Sequence, residues 1–159
     1  METVTNKIIS LLEQHHIHFI RKDHTPTPTS QDSARERGEP LKIGAKALLV
    51  KTDNEFILFV LPADRKLDTK KVKVILNTKN LRFATKEELE EKTSLIPGAV
   101  PPFGNLLDIS MTVDTALFNE EYMAFNAGSL TTSIKMKTQD YKRIVQPRVE
   151  EISQIKLTI

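Results

Sequence analysis

The chain has 159 residues, of which 23 are Lys or Arg and 21 are Asp or Glu, so its formal net charge at pH 7 is only +2. It contains no cysteine, which excludes a disulfide scaffold, a thiol nucleophile and a Cys-ligated metal, and which fits the reducing cytoplasm. The length and an ordinary hydrophobic share of 39% predict one domain over 1–159, with a C-terminal tail at 147–159. The longest apolar run, 56–61, falls far short of the ~18 residues that a membrane-spanning helix needs, so we expect no membrane partner.

The first part of the chain combines helical and extended patterns. Thr5 is the predicted N-cap of a first helix that ends near His15, and a short strand is expected around Phe19. A polar helix is predicted between a cap at Thr29 and a stop at Gly38. These elements are short, so their packing must come from the rest of the chain.

The clearest pattern is a hairpin. Residues 43–51 and 55–61 are rich in β-branched residues, Leu and Phe, and 52–54 form a turn between them. Their apolar runs are nearly continuous, which is typical of strands that are buried on both faces. A helix capped by Asp68 follows.

The second half predicts more strands than helices. In chain order we expect a brief strand at 81–83, a helix opened by a capping box at Thr85, an irregular segment at 96–104, strands at 106–113, 122–126 and 132–136, a helix capped by Thr138, and an amphipathic or frayed tail after Pro147. Together these elements predict a mixed α/β fold with a largely antiparallel sheet.

No standard catalytic or nucleotide-binding motif is present, and we expect neither a metal nor a cofactor. There is no nucleophile elbow, Walker loop, dinucleotide fingerprint or zinc-protease helix. Histidines crowd one end of the chain, but adjacent histidines point apart on a helix and no downstream histidine could complete a site. We interpret them as surface and helix-end residues; they are His15, His16, His18 and His24.

Lys46 stands inside an apolar strand, between small and aliphatic neighbours. Such a lysine either extends its ammonium to the surface or presents it in a pocket, and spacing alone favours the surface. The segment 98–104 is a second candidate, since glycines and prolines form a rigid loop whose amides could bind an oxyanion; it could equally be a connector.

Two further segments have both a structural and a functional interpretation. Residues 124–133 could form a strand, a glycine turn and another strand, or a hydroxyl-rich turn. The basic stretch between Arg65 and Arg82 is either a solvated face or a patch that follows RNA phosphates.

Taken in order, five short motifs resemble the YbaK/prolyl-tRNA-synthetase-associated editing domain family. They are Ala-Lys-Ala-Leu-Leu-Val at 45–50, Leu-Pro-Ala-Asp-Arg-Lys-Leu-Asp at 61–68, Leu-Arg-Phe-Ala at 81–84, the glycine-proline loop with Phe-Gly at 98–104, and Asn-Ala-Gly at 126–128. The resemblance implies a partly closed sheet flanked by helices. It also implies that the chain is a trans-editing hydrolase that deacylates a mischarged aminoacyl-tRNA, with proline tRNA carrying a small amino acid as the expected substrate.

The resemblance also implies roles for individual residues. Lys46 matches the family's essential lysine, and the remaining matched positions form or border the substrate pocket: Ala47, Gly98, Ala99, Val100, Pro101, Pro102, Asn126, Gly128 and Ser129. Relatives tend to carry Asn or Thr where this chain has Ala47. The expected partners are the acceptor end of tRNA, bound through Lys70, Lys71 and Lys73, and prolyl-tRNA synthetase.

Two other functions are compatible with the pattern. One is a non-catalytic module that docks tRNA or a synthetase, although aromatic residues make up only 6% and a stacking surface needs more of them. The other is an esterase for free amino-acid esters. Because Met1 opens a chain without a synthetase catalytic domain, we expect a freestanding protein, and the low aromatic content favours the enzyme over the module.

Overall fold

A computed structural model, which describes residues 2–27 and 29–156, shows a mixed α/β fold. The helices are α1 (Val4–Gln14), α2 (Ser30–Arg37), α3 (Thr69–Leu76), α4 (Lys86–Thr93), α5 (Gly104–Leu107) and α6 (Thr138–Val145). The strands are β1 (Phe19–Asp23), β2 (Ala45–Lys51), β3 (Phe56–Pro62), β4 (Arg65–Leu67), β5 (Arg82–Phe83), β6 (Ser110–Asp114), β7 (Tyr122–Asn126), β8 (Thr132–Lys137), β9 (Arg148–Glu150) and β10 (Ser153–Ile155). None of the described helices is long and apolar enough to cross a membrane.

The strands form three sheets. A five-stranded sheet has the order β5-β2-β3-β6-β9, in which β3 pairs in parallel with β6, and β6 with β9. A three-stranded antiparallel sheet has the order β1-β8-β7, and β10 pairs antiparallel with β4. A bridge between Gly44 and Ala124 joins the two larger sheets. The predicted mixed α/β class with largely antiparallel pairing is confirmed.

The β2–β3 hairpin is the centre of the fold, as its sequence predicts. Residues Leu58 to Leu61 of β3 are at most 1% exposed, because apolar clusters cover both faces of the strand. Side chains of β2 alternate between these faces. Leu48 and Val50 face the cluster under α3, and Leu49 faces the cluster that includes α4.

Local capping rules predict three helix starts correctly. The side-chain oxygens of Thr29, Asp68 and Thr85 each accept a hydrogen bond from a backbone N–H in the first turn of the helix that follows. Thr85 and Glu88 complete the predicted capping box. Gly38 ends α2 in the left-handed conformation at φ +70°.

Two predicted caps are wrong because the threonines have other partners. Helix α1 is capped by Thr3, while the Thr5 hydroxyl donates to the Ala127 carbonyl at 2.5 Å. Thr138 is the first residue of α6 rather than its cap, and its hydroxyl donates to the Glu120 carbonyl at 2.6 Å. Both hydroxyls therefore tie helices to distant loops.

The strand predicted at 106–113 is shorter and is preceded by a helical turn. Gly104 starts α5 and packs so tightly that a Cβ there would lie 2.5 Å from the Ile109 carbonyl oxygen. Asp108 ends the turn at φ +56°, and β6 begins only at Ser110. A glycine that permits this close approach allows the chain to turn where the apolar pattern alone predicts a strand.

The expectation of a frayed tail is wrong for the described part of the tail, which forms β9 and β10. Ile152 is fully buried in the α3 cluster. The buried Asp114 carboxylate accepts hydrogen bonds from the Ile152 N–H at 3.0 Å and from the Ser153 hydroxyl at 2.5 Å. This buried carboxylate fixes the tail against the five-stranded sheet, through contacts too distant in sequence to predict.

Candidate active site

A cavity of about 150 Å³ lies at the first half of β2. Its lining combines the small residues of that strand with polar side chains from α2 and the segment before it. The described lining residues are Thr27, Thr29, Ser30, Ser33, Arg37, Gly44, Ala45, Lys46, Ala47, Leu48, Ala63, Gly98, Val100 and Asn126. They include two cations and no carboxylate.

The cavity occupies a gap in the sheet beside β2. The short strand β5 pairs only with Val50 and Lys51, and the Ala84 N–H donates to the Leu49 carbonyl. Because alternate residues of a strand direct their N–H and C=O groups to the same side, those of Ala47 also point to this side. Within the described residues no strand pairs with Ala47 there, so its main-chain groups face the cavity.

Lys46 is half-buried at this cavity. Burial, and after it the neighbouring ammonium of Lys156, lowers the pKa of Lys46 to about 8. Asp64 acts in the opposite direction and favours the charged form. Of the two interpretations open for this lysine, the structure supports the one in which its ammonium is presented in a pocket.

Arg37 is the main site residue that the sequence interpretation missed. It comes from the last turn of α2, where a helix-end arginine looks ordinary. Its Nε donates to the Ser133 hydroxyl at 2.9 Å and its Nη2 to the Asn126 side-chain oxygen at 3.2 Å. Burial lowers the pKa of the guanidinium to about 10, which leaves it charged at neutral pH. Glu39 acts in the opposite direction, but the two side chains that accept hydrogen bonds from the guanidinium are neutral. A largely desolvated cation without a hydrogen-bonded carboxylate costs folding free energy, which points to a functional role.

Asn126 connects Arg37 to the glycine loop. Its side-chain nitrogen donates to the Gly98 carbonyl at 2.9 Å, while its oxygen accepts from Arg37. Gly98 has φ +87°, a conformation that favours glycine. The structure therefore brings together Lys46, Ala47, Gly98, Val100 and Asn126 of the predicted site.

The other predicted pocket residues do not line the cavity. The Gly128 N–H donates to the Ala99 carbonyl at 3.0 Å, and the Pro102 carbonyl accepts from the buried Tyr141 hydroxyl at 2.6 Å. The Ser129 hydroxyl is hydrogen-bonded to that of Thr131 in the β7–β8 turn. Of these residues only Gly128 contacts the loop from outside it, and none of the five is among the described lining residues: Ala99, Pro101, Pro102, Gly128 and Ser129.

Only part of the loop can donate hydrogen bonds to a ligand. The Ala99 N–H already donates to the Ile96 carbonyl at 3.1 Å, and Pro101 and Pro102 have no N–H. The N–H groups of Gly98 and Val100 donate to no backbone acceptor among the described residues. Both residues line the cavity.

A Ser–His pair lies next to this network. His24 Nε2 is 2.7 Å from the Ser133 hydroxyl, and His24 Nδ1 is 2.8 Å from the Thr25 carbonyl. Ser133 is only 2% exposed and also contacts Arg37 and Asn126, so it supports the site rather than offering a free nucleophile. In the part of the chain described, no group of three or more potential ligands could hold a metal ion.

The predicted RNA-binding lysines lie on α3, on the sheet face to which Lys46 belongs. Lys71 is paired with Glu151, with its Nζ 3.0 Å from Oε1. Lys73 borders a separate open groove with Lys51 and Arg82. Lys70 and Lys73 are therefore better placed than Lys71 to meet an anionic partner.

Comparison with known proteins gives consistent matches. The model of the aminoacyl-tRNA editing domain matches residues 24–144. The chain is 32% identical over 148 residues to the multifunctional Ser/Thr-tRNA deacylase ProXp-y of Escherichia coli (strain K12), covering 90% of this chain and 89% of that protein. It is 23% identical to the prolyl-tRNA editing protein ProX of Acetoanaerobium sticklandii, over 94% of this chain and 95% of that one.

Solved structures share the fold. A candidate trans-editing enzyme for prolyl tRNA synthetase superposes with a TM-score of 0.80 at 20% identity, covering 97% of this chain and 99% of that chain. A hypothetical protein superposes with a TM-score of 0.84 at 20% identity, covering 93% and 99%. At such identities the likeness concerns the architecture alone.

Proposed function

Since the chain belongs to the aminoacyl-tRNA editing domain family, we propose that the cavity beside Lys46 hydrolyses the ester between a small, hydroxyl-bearing amino acid and tRNA. The sequence predicts an aminoacyl-tRNA deacylase, and this is the enzyme class of the family. The observation that carries the proposal is the placement of two cations, Lys46 and Arg37, at one small cavity with a hydroxyl-rich wall.

The chemistry needs no protein nucleophile. Water adds to the ester carbonyl, the carbonyl oxygen becomes an oxyanion, and its collapse expels the ribose oxygen, which takes up a proton. Cations and fixed N–H donors at the cavity stabilise the negative charge that develops on the oxyanion. Lys46 supplies the charge, and the N–H groups of Ala47, Gly98 and Val100 are the available main-chain donors. A hydroxyl of the terminal ribose can orient the water.

The size and polarity of the cavity restrict which amino acid can be the substrate. The cavity volume of about 150 Å³ suits a small side chain. The wall from α2 presents Ser30 and Ser33, and the Ser33 hydroxyl accepts from Asn126 and donates to Thr27. Such a wall can hydrogen-bond a substrate hydroxyl, and the deacylase relative named for Ser/Thr-tRNA supports this choice.

The amino-acid preference is tested with one tRNA that is charged in turn with different amino acids. We expect proline tRNA carrying serine or threonine to be deacylated faster than the same tRNA carrying alanine, cysteine or proline. Equal rates for alanine and serine would contradict the role of the hydroxyl wall. Binding of every charged tRNA with no release of amino acid would instead favour the non-catalytic module.

The pH dependence distinguishes two roles for Lys46. Suppose that the reaction requires the ammonium form of Lys46. Then kcat/KM, corrected for spontaneous hydrolysis, falls as the pH rises through about 8, because the pKa of Lys46 is about 8. Lys46→Arg should remove this alkaline decrease, since arginine stays charged. A rate that rises through the same pH range would identify Lys46 as a general base and contradict the proposal.

The proposed RNA surface includes α3. Charge reversal at Lys70 and Lys73 together should weaken tRNA binding and reduce the slope of log K against log salt by roughly 1.4, at about 0.7 for each single-stranded phosphate contact. Hydrolysis of a seryl ester of adenosine should be unchanged. An unchanged salt slope would show that α3 is an ordinary solvated face. A cytoplasmic location and a complex with prolyl-tRNA synthetase stay predictions of the family resemblance.

A further inference from the structure

The C-terminal strand β10 brings a second lysine to the site. In the β10–β4 register Ile155 is opposite Arg65, so the next residue, Lys156, is opposite Asp64. Asp64 belongs to the turn after β3 and adjoins Ala63, which lines the cavity. The register therefore brings Lys156 to the turn beside the cavity, and its ammonium is near enough for its charge to act on Lys46.

Two neighbouring ammonium groups repel each other, and the Asp64 carboxylate acts on Lys46 more weakly than Lys156 does. A phosphate bound between the two ammonium groups would convert this repulsion into attraction. The tail is held in place without Lys156, by Ile152 in the core and by the hydrogen bonds to Asp114. The lysine pair is thus a feature that folding itself does not require.

We propose that Lys156 binds the phosphodiester immediately 5′ of the terminal nucleoside of tRNA. This contact holds the nucleoside in place while Lys46 stabilises the oxyanion that forms from the ester. The proposal rests on the proposed function of the cavity. The ester is on the terminal ribose, so the phosphate 5′ of that ribose is the strong anion nearest to the mouth of the cavity. Residues 145–156 lie beyond the region that the family model matches.

The test combines a protein change with a change in the RNA. A short RNA that ends in CCA is compared with the same RNA carrying an uncharged methylphosphonate at the last linkage. Lys156→Gln should weaken binding of the natural RNA about five-fold and lower its salt slope by roughly 0.7. It should have no effect on binding of the methylphosphonate RNA, because the contact is already lost.

Three further measurements separate binding from structure. Lys142→Gln also removes one positive charge, at an exposed position of α6, and should leave RNA affinity unchanged. Lys156→Arg should restore binding. Lys156→Gln should also shift the alkaline decrease in activity to higher pH, since the ammonium that lowers the pKa of Lys46 is gone.

Equal weakening for both RNAs would overturn the phosphate contact, as would binding that does not depend on Lys156. The two proposals fail separately. A wild-type chain that binds the RNA through Lys156 but releases no amino acid would contradict the proposed function and uphold the phosphate contact.

Discussion

Lys46→Ala should lower kcat/KM for deacylation of seryl-tRNA at least about 100-fold, the usual effect of removing one group that stabilises a developing oxyanion. The side chain is half-buried on β2, and the attraction from Asp64 is weaker than the repulsion from Lys156, so loss of the ammonium should cost little folding free energy. We expect the free energy of unfolding to change by less than about 1 kcal/mol. Turnover by single-turnover assay and unfolding by urea titration check both statements.

The control for this variant is a lysine of the same strand. Lys51→Ala removes a charge at the far end of β2, where the ammonium lies over the Phe56 ring rather than at the cavity. Its activity on a seryl ester of adenosine should equal that of the wild type. Full activity of Lys46→Ala would refute the assignment of this lysine to the reaction.

Arg37→Met should lower kcat/KM about 10- to 100-fold without destabilising the protein. The guanidinium orients Asn126, which in turn holds the Gly98 carbonyl, so its loss frees the loop opposite Lys46. The free energy of unfolding should stay unchanged or rise, because a desolvated cation is replaced by an apolar side chain of similar length. The Asn126 oxygen keeps a donor in the Ser133 hydroxyl.

Arg35→Met is the matched control, since Arg35 lies on the same helix with its side chain 78% exposed. It should change neither activity nor stability by a measurable amount. A loss of about 3 kcal/mol in unfolding free energy for Arg37→Met, with activity retained, would show instead that Arg37 is a structural residue.

Local rules account for what the sequence predicts well. The hairpin, the capping threonines and the isolated Lys46 can all be identified from a few neighbouring residues. Thr5 and Thr138 show the limit of such rules, since each hydroxyl finds a partner that is distant in sequence. The short tail strands form for the same kind of reason, because the buried Asp114 holds them in place.

The cavity illustrates that limit most clearly. Lys46 and the Gly98 loop carry recognisable motifs, but Arg37 ends a polar helix and has nothing local to distinguish it. Its importance comes from contacts with Asn126 and Ser133, about ninety residues away. The methyl group of Ala47 offers no hydrogen bond to a substrate, where relatives tend to carry Asn or Thr. In the structure its main chain faces the cavity, and the polar wall is supplied by α2 instead.

The most direct test of the account is the release of labelled serine from seryl-tRNA by the wild-type chain, with tRNA in excess over protein. We expect many turnovers for each wild-type protein molecule. With Lys46→Ala we expect serine to be released at the rate of spontaneous hydrolysis. Wild-type release that does not exceed spontaneous hydrolysis would contradict the account.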